Sequence, residues 1–424
     1  MGGVESKSVP PCTSITSGTN RAQKAPAKKI LSAPGLYITG LGSQFPPHLF
    51  GPEKLEELAR RLYDVEKPAL KKLLHINRST GIETRAAVGT FETISFASRS
   101  DPPSIADMDD LFRNSAGVDL ATEACRKALE EWGGDAATEI THTVAVTCTN
   151  QGNPGYDLMV AQRLGLGAGV DRTLLSGVGC AGGLAILRCA AQLAAGAAAR
   201  GRPARVLCFA CEVCTPGMRR ELAEADACGD DPAGVSIAGA LFADGAAAFV
   251  LCNELGMPEK QSDGAGKRPP LLQLLEWDNA VIPDTVQHLA SYVDPLGFHT
   301  ILTRDVPRLA VKAVRPMLES LLQLPYLREQ IGSSAEGLGA VDLDWALHPG
   351  GQAIISGVQT TLNLTDHQLR ATKQIYRTRG NSSSSAVLAV LDLLRGMGKG
   401  RDHIVAASFG PGVAIEMAIF RRCR

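Results

Sequence analysis

Apolar runs that fit β-strands alternate along this chain with longer runs whose apolar positions follow the helical period. Short apolar runs are typical of buried strands, whereas apolar positions three and four residues apart indicate amphipathic helices. This alternation predicts an α/β fold. The strand candidates are Thr143–Thr147, Val206–Ala210, Ala247–Leu251, Trp345–Leu347, His403–Ala407 and Ala414–Ile419. The helix candidates are Leu55–Leu62, Ala121–Trp132, Leu184–Ala199, Val306–Leu322 and Ala386–Leu394.

One arrangement of these elements occurs twice, about 200 residues apart: a strand, a glycine- or serine-rich turn, a helix and a second strand. The turn contains Cys180 in the first copy and Asn381 in the second. We therefore expect two similar halves, 34–254 and 271–424. The polar segment 255–270 between them is predicted to be a linker or loop.

Cys180 lies in the sequence Ser-Gly-Val-Gly-Cys-Ala-Gly-Gly, between an apolar segment and the predicted helix Leu184–Ala199. This pattern places a thiol in a tight strand-to-helix turn at a helix N-terminus, where the backbone dipoles favour a thiolate. The neighbouring glycines let other groups approach the sulfur closely. The motif fits an exposed nucleophile, and taken alone it fits a small buried cysteine equally well.

Two further turns carry polar side chains that complete a site of this kind. His348 follows the strand candidate Trp345–Leu347 and precedes Pro-Gly-Gly, while Asn381 precedes four serines and the helix candidate Ala386–Leu394. A histidine activates a cysteine nucleophile, and an asparagine amide can donate to a developing oxyanion. Each motif alone is typical of an ordinary turn or helix cap. Together, in this order, they predict an active site.

These motifs resemble those of the type III polyketide synthases, the chalcone and stilbene synthase family of thiolase-fold enzymes. The resemblance runs from about Leu36 to the C-terminus. Ser408 stands where the family's Gly-Phe-Gly-Pro-Gly signature begins with glycine. Related ketoacyl synthase III enzymes usually carry His-Gln-Ala-Asn where this chain has His-Pro-Gly-Gly. Besides the Cys180 and Asn381 turns, the resemblance includes four sequences: LFADGAA at Leu241–Ala247, DVP at Asp305–Pro307, HPGG at His348–Gly351 and SFGPG at Ser408–Gly412.

The resemblance implies a duplicated thiolase-like fold of αβαβα layers and a reaction between CoA thioesters. Cys180 would be the nucleophile that accepts an acyl group from acyl-CoA, and His348 would hold its sulfur as a thiolate through an ion pair. Decarboxylation of malonyl-CoA would place negative charge on a thioester oxygen, towards which His348 and Asn381 would donate. No metal or redox cofactor is required by this chemistry.

The same resemblance identifies candidate residues for a substrate cavity. Phe242 and Phe298 match two phenylalanines at the junction of the CoA tunnel and the cavity, although a core aromatic is the ordinary interpretation of Phe242. Asn153 matches a position that reaches the neighbouring subunit's cavity, so a homodimer is expected. Gly217 and Ser383 are small and favour room for a long apolar chain. The remaining cavity candidates are Cys214, Gln287, Gly410 and Pro411.

Basic side chains are expected where the phosphates of CoA bind. Lys71, Lys72 and Arg78 lie in the corresponding region of the chain. The family's three basic positions are not all matched, because His75 and Ser79 stand at two of them. The alternative is a solvated helix face.

Composition indicates an ordinary globular protein. The 424 residues are 45% hydrophobic and 21% charged, and the net charge of −1 does not indicate nucleic acid as a partner. Eleven irregularly spaced cysteines are not typical of a secreted disulfide framework, and a working thiol suits the reducing cytoplasm. No apolar run approaches the roughly 20 residues that span a bilayer.

Residues 1–33 are rich in Ser, Thr, Pro, Gly and Lys, which predicts a disordered tail. Their first residues match the N-myristoylation pattern, so membrane contact through the tail is an alternative. We do not favour it, because stable anchoring would also need a second signal.

The leading hypothesis is an iterative, CoA-dependent polyketide synthase that extends a fatty acyl starter and releases a pyrone, a resorcinol or a resorcylic acid. The alternatives are a chalcone-like enzyme with an aromatic starter, a ketoacyl synthase III-type enzyme that performs one condensation, and a catalytically silent acyl-CoA-binding protein. A metal site at Cys208, Cys211 and Cys214 is not expected, because alternate residues of a strand project to opposite faces.

Overall fold

The elements predicted from the hydrophobic pattern are confirmed in a computed structural model, since every candidate overlaps an element of the predicted type. The candidate strand Val206–Ala210 lies within the strand Arg205–Glu212, and the candidate helix Ala121–Trp132 lies within the helix Gly117–Trp132. The structure describes residues 35–89, 101–232, 235–257, 269–332 and 337–423. The predicted disordered tail, 1–33, and most of the predicted linker, 258–268, lie outside the described residues.

The described residues form strands and helices in close alternation. The strands are β1 (Leu36–Gln44), β2 (His48–Phe50), β3 (Arg85–Ala87), β4 (His142–Val146), β5 (Asp171–Leu175), β6 (Arg205–Glu212), β7 (Gly245–Asn253), β8 (Leu272–Val281), β9 (Leu289–Asp294), β10 (Gly297–Leu302), β11 (Asp344–Leu347), β12 (His403–Gly410) and β13 (Ala414–Arg422). The helices are α1 (Pro52–Leu62), α2 (Pro68–Ser79), α3 (Ile105–Asn114), α4 (Gly117–Trp132), α5 (Ala136–Glu139), α6 (Tyr156–Arg163), α7 (Gly182–Ala199), α8 (Met218–Cys228), α9 (Ala238–Leu241), α10 (Val306–Leu322), α11 (Pro325–Ile331), α12 (Gln352–Leu362), α13 (Arg370–Arg379) and α14 (Ala386–Gly396).

Nine of these strands form one mixed sheet in the order β11-β12-β13-β8-β1-β7-β6-β4-β5. Pairing is parallel towards both ends of the sheet, between β11 and β12 and among β6, β4 and β5. It is antiparallel through the centre, where β1 pairs with β8 only over Leu36–Ile38. This short seam divides the sheet into a half from the first part of the chain and a half from the second.

Five layers result from the helices that cover the two half-sheets. Helices α7 and α14 share one core with residues from both halves, including Leu187, Phe249 and Leu391. Helix α4 packs on the outer face of the first half, and helices α10 and α12 pack on the outer face of the second. Both faces of each half-sheet are therefore buried, which explains why the strands read as continuous apolar runs rather than alternating ones. The predicted αβαβα layering is confirmed.

The two copies of the repeated pattern occupy equivalent places in the sheet. Strands β4 and β6 flank the Cys180 turn and helix α7 in the first half, and strands β11 and β12 flank the Asn381 turn and helix α14 in the second. Strand β5, just before the Cys180 turn, was not among the candidates. It is the last strand of the described sheet and its side chains are exposed or half-buried, so it lacks the apolar run that marks a buried strand.

The expectation that no segment is long and apolar enough to span a membrane needs correction. Residues Gly179–Ala199 form one helix that meets this requirement by length and composition. More than half of it is buried inside the fold, because α7 is one of the two central helices. Its apolar character is therefore that of a core helix.

Candidate active site

Cys180 lies in a strand-to-helix turn, as predicted. The turn is a single 3-10 turn, Gly179–Ala181, between β5 and α7. This turn packs tightly against the end of β12. A Cβ atom on Gly410 would lie 2.5 Å from the carbonyl oxygen of Val178, so no side chain fits at that position. Glycine at 410 therefore allows the end of β12 to support the cysteine turn.

Asn381 lies in the equivalent turn before α14, and its backbone is held against the segment around Phe242. Its N–H donates to the carbonyl oxygen of Leu241 (3.1 Å), and its own carbonyl oxygen accepts from the N–H of Ala243 (2.9 Å). The side-chain Oδ1 accepts from the N–H of Ser383 (2.9 Å). The amide NH₂ group hydrogen-bonds to no residue that the structure describes, so it is available as a donor.

Ser383 joins the two turns. Its Oγ lies 3.2 Å from the Sγ of Cys180 and 3.6 Å from the Sγ of Cys148. Its backbone is in the left-handed region, with φ of 50°, which is rare for a residue other than glycine. Strained backbone of this kind persists only where the surroundings enforce it, and it is common at active sites.

His348 follows β11 at its carboxyl end, and its N–H donates to the carbonyl oxygen of Ala407 in β12 (2.8 Å). Strand β11 is anchored at its other end by the fully buried carboxylate of Asp344, which accepts from Arg370 (3.0 Å). Because β11 and β12 are parallel neighbours, His348 lies at the strand ends that support the Cys180 turn. The imidazole is buried, and its Nδ1 has no partner among the described residues.

The buried carboxylate of Glu212 hydrogen-bonds both to the segment that follows β4 and to the serine turn that follows Asn381. Located at the end of β6, it accepts from the backbone N–H of Cys148 (3.1 Å), from Thr149 Oγ1 (2.9 Å) and from Ser384 Oγ. Burial raises its pKa, and the hydrogen bonds oppose that rise. The sequence analysis missed Glu212, although an acidic residue at the end of an apolar strand is a visible signal.

Burial dominates the ionisation of both reactive groups. It raises the pKa of the Cys180 thiol to about 12, which the Ser383 hydrogen bond lowers and the Glu212 carboxylate raises further. It lowers the pKa of His348 to about 3. The thiolate expected from the helix N-terminus is thus not favoured for Cys180 by itself, because desolvation outweighs the helix dipole at this depth. Among the described residues, the hydrogen-bond partner of Cys180 is Ser383, not His348.

Cys180 opens into a mainly apolar cavity of about 390 Å³. The walls come from a second 3-10 turn and the helices that lie between residues 214 and 242, from the β9–β10 hairpin, and from the turn that follows β12. Six of the predicted pocket residues line this cavity: Phe242, Phe298, Cys214, Gly217, Ser383 and Pro411. His348 and Asn381 are not part of its wall, but Phe242, which pairs with Asn381, is.

Three other predicted pocket residues do not line this cavity. Gln287 is exposed and its amide donates to the carbonyl oxygen of Asp284 (3.0 Å), while its neighbour Val286 lines the cavity. Gly410 supports the Cys180 turn instead of lining the cavity. Asn153 lies on an exposed loop and is not part of the cavity wall of its own chain, so the prediction that it reaches the neighbouring subunit's cavity stays a prediction.

A second cavity, of about 210 Å³, lies on the other side of the Gly350–Gly351 turn that follows His348. Ile76 and Ser79 of α2 contribute to it, and so does Arg304, just before α10. The Arg304 side chain is exposed and has no ion-pair partner in the described part of the chain. The sequence analysis missed Arg304, which directly precedes the Asp-Val-Pro motif.

The basic residues predicted to bind CoA lie on the same helix, α2, but line neither cavity. Lys71 forms an ion pair with Glu66 (2.8 Å), and Arg78 forms one with Glu56. Lys72 donates to the carbonyl oxygen of Pro232. These side chains therefore already have partners, as expected of a solvated helix face.

Two further residues near the site were also missed. Cys148 lines the main cavity and shares Ser383 with Cys180. Glu221 of α8 lines the cavity as a buried carboxyl. Neither has a periodic or motif signal in the sequence.

The described residues contain no group of three or more His, Cys, Asp or Glu side chains arranged to hold a metal ion. Cys208 and Cys211 pack in different cores, on opposite faces of β6. Side chains alternate between the two faces of a strand, so these two thiols point away from each other and cannot bind one metal ion together.

Comparison with known proteins identifies the family. Residues 24–254 match the N-terminal domain of chalcone and stilbene synthases, and residues 273–423 match the C-terminal domain. The chain is 58% identical over 398 residues to type III polyketide synthase pspB of Penicillium soppii, covering 92% of this chain and 97% of that protein. It is 36% identical over 389 residues to acylalkylpyrone synthase csyB of Aspergillus oryzae, covering 91% and 94%.

Solved structures agree with these matches. The crystal structure of the fungal type III polyketide synthase ORAS is similar with a TM-score of 0.84 and 41% identity, over 92% of this chain and 100% of that one. CsyB complexed with CoA-SH gives a TM-score of 0.82 and 36% identity, over 91% and 100%. The chain therefore belongs to the chalcone and stilbene synthase family, and it is an acyl-transferring enzyme of the type III polyketide synthase class.

Proposed function

We propose that this enzyme loads a fatty acyl group from acyl-CoA onto Cys180, extends it with malonyl-CoA and releases an alkylpyrone, an alkylresorcinol or an alkylresorcylic acid. The observation that carries this proposal is that the Cys180 thiol opens into a mainly apolar cavity of about 390 Å³. Small side chains at Gly217 and Ser383 leave room there for an alkyl chain. The similarity to acylalkylpyrone synthase csyB supports the same substrate class.

Loading requires a thiolate in a site that disfavours isolated charges. Burial raises the pKa of Cys180 and lowers that of His348, so each charged form alone is costly. Transfer of the thiol proton to the imidazole makes a pair without net charge, whose desolvation cost is smaller than that of either ion alone. The thiolate then attacks the thioester carbonyl, the acyl–sulfur bond to CoA breaks, and His348 returns the proton to the departing CoA thiolate.

Extension requires a carbanion. When malonyl-CoA loses CO₂, the electron pair of the broken C–C bond moves into an enolate whose negative charge lies on the thioester oxygen. The NH₂ group of Asn381 suits a donor to this oxygen, because Ser383 holds the opposite end of the amide. His348 would be the second donor. The carbanion attacks the acyl group, and the Cys180 sulfur leaves. No metal or redox cofactor enters this scheme.

We predict that purified protein given malonyl-CoA and acyl-CoA starters, from acetyl to stearoyl and p-coumaroyl, yields alkylpyrones or alkylresorcinols from the long starters. Mass spectrometry identifies the products. Cys180→Ala abolishes them, because the acyl group is carried on the Cys180 thiol. Cys189→Ala, which removes a half-buried thiol of α7 outside the cavity, is the matched control and leaves them unchanged.

If only p-coumaroyl-CoA gave products, the starter would be aromatic and not fatty. Condensation that requires a carrier-protein thioester would favour a ketoacyl synthase III-type reaction. Folded protein that condenses no thioester at all would contradict the proposed activity.

We predict that His348→Ala slows alkylation of Cys180 by iodoacetamide at neutral pH by about tenfold or more. Without the imidazole the thiol loses its proposed proton acceptor. Because burial raises the pKa of Cys180, the thiolate then forms only in alkaline solution. The measurement is the alkylation rate of Cys180 against pH, followed by peptide mass spectrometry. His288→Ala, a half-buried histidine before β9, is the control. Identical profiles for the wild type and His348→Ala would exclude the proton transfer.

We propose that the second cavity receives CoA, because the Gly350–Gly351 turn that follows His348 forms part of its wall. Arg304 at its edge would pair with a CoA phosphate. We predict that Arg304→Ala raises KM for acyl-CoA a few-fold with little change in kcat. Arg308→Ala removes an exposed arginine already paired with Asp305 (3.0 Å) and serves as the control. Equal KM values for the two variants would contradict this assignment.

We propose a homodimer formed through β5. It is the last strand of the described sheet, and Leu174 on it is 39% exposed. The loop that carries Asn153 packs beside Leu174, since a Cβ atom on Gly155 would lie 2.5 Å from the Leu174 Cδ2. An unpaired edge and an exposed apolar side chain are suited to pairing with a second chain.

We predict that sedimentation gives twice the mass of one chain, and that Leu174→Lys shifts the protein towards monomer, because a lysine on an edge strand opposes pairing. Leu255→Lys is the control, since Leu255 is an exposed leucine elsewhere on the surface. A wild-type monomer would overturn the proposal.

A further inference from the structure

Glu221 differs from the other buried carboxyls near the cavity. It lies on α8 and is only 9% exposed, and its side chain forms part of the cavity wall beside Met218 and Gly239. The side chain of Ser236 hydrogen-bonds to the carboxyl. The Oε2 atom is buried and has no hydrogen-bond partner among the described residues.

In the same region, both oxygens of the buried Asp244 carboxylate have hydrogen-bond partners. Its two oxygens accept from the backbone N–H groups of Val88 (2.8 Å), Cys214 (2.7 Å) and Thr215 (2.8 Å), and from the Thr215 hydroxyl (2.6 Å). Glu212 is likewise bonded to several donors. Buried polar groups of native proteins have partners in the great majority of cases, so an oxygen in a cavity wall without a protein partner is open to a donor on a bound ligand.

Among the described residues no ion pair involves Glu221, and the charge of Arg220 offsets only part of the effect of burial on its pKa. Arg220, the neighbouring residue of α8, pairs instead with Glu224 (2.7 Å) and with Asp294 of β9 (2.6 Å). Arg219 lies over the ring of Tyr63, 6.0 Å from its centroid. Burial consequently raises the pKa of Glu221 to about 7, so the carboxyl carries its proton for part of the time at neutral pH.

Glu221 and Cys180 contribute to the cavity wall from different elements. Cys180 lies in the turn before α7, whereas Glu221 lies on α8, beside Met218 and Gly239. The described hydrogen-bond partner of Cys180 is Ser383, not Glu221. A chain attached to Cys180 would bring its remote part, and not its thioester, to this carboxyl.

We propose that Glu221 is a specificity-determining residue that binds a hydroxyl group on the remote part of the acyl chain. This inference rests on the proposed function. A hydroxyl group can donate to an ionised carboxylate, and it can both donate to and accept from a protonated carboxyl, so it pairs with either form. An unsubstituted alkyl chain would cover Oε2 and leave it without a partner. Sites built to hydrogen-bond a hydroxyl discriminate strongly against analogues that lack it.

The test compares dodecanoyl-CoA with its 5-, 8- and 12-hydroxy derivatives as starters for the full-length enzyme with malonyl-CoA. We expect at least one hydroxylated starter to be extended with a kcat/KM roughly tenfold or more above that of dodecanoyl-CoA. Glu221→Leu removes this preference and improves extension of dodecanoyl-CoA. Glu221→Gln retains it, because an amide also donates and accepts. Glu224→Gln, in the next turn of α8, behaves as the wild type.

Intact-protein mass spectrometry of acylated Cys180 separates the outcomes. If dodecanoyl-CoA is loaded and extended but no hydroxylated starter is preferred, this inference fails and the proposed function stands. A preference that persists in Glu221→Leu overturns the assignment to Glu221. If no starter is loaded by folded protein, the proposed function itself fails. Thermal unfolding and dodecanoyl loading of Glu221→Leu establish that this variant is folded.

Discussion

The active site depends on the close approach of the N-terminal ends of the two central helices, α7 and α14. A Cβ atom on Gly183 would lie 2.5 Å from the carbonyl oxygen of Ser384, so glycine is required where the helices meet. This approach brings the turn before each helix to the same place, one carrying Cys180 and the other Asn381. The duplicated fold thus creates one site from two equivalent turns.

Depth of burial is the main physical consequence of that approach. Cys180, His348 and Glu212 all lie where burial disfavours their charged forms, as the directions of their pKa shifts indicate. The same dry surroundings strengthen any hydrogen bond aimed at a developing oxyanion. A site of this kind favours proton transfer between neighbouring groups over permanent charges, and it favours fixed neutral donors such as the amide of Asn381.

The proposed catalytic residues and the cavity walls come from different parts of the fold. Cys180, His348 and Asn381 belong to the repeated strand–turn–helix units of the sheet. The walls of the cavity come largely from elements outside the repeat, namely α8, α9 and the β9–β10 hairpin. These elements are free to vary without disturbing the contact between α7 and α14. Glu221 and Phe298 both lie on them, which is consistent with a role in selecting the acyl chain.

The sequence by itself determined the α/β layers and the three turns at Cys180, His348 and Asn381, because apolar periodicity and glycine-rich turns are local properties. Only the tertiary structure decided which charges have partners. It pairs Lys71 and Arg78 with nearby acids, gives Arg304 no ion-pair partner among the residues it describes, and buries Glu221 in a cavity wall. It also places Gln287, a predicted pocket residue, outside the cavity wall. Burial, pairing and cavity walls depend on segments distant in sequence, and no local pattern encodes them.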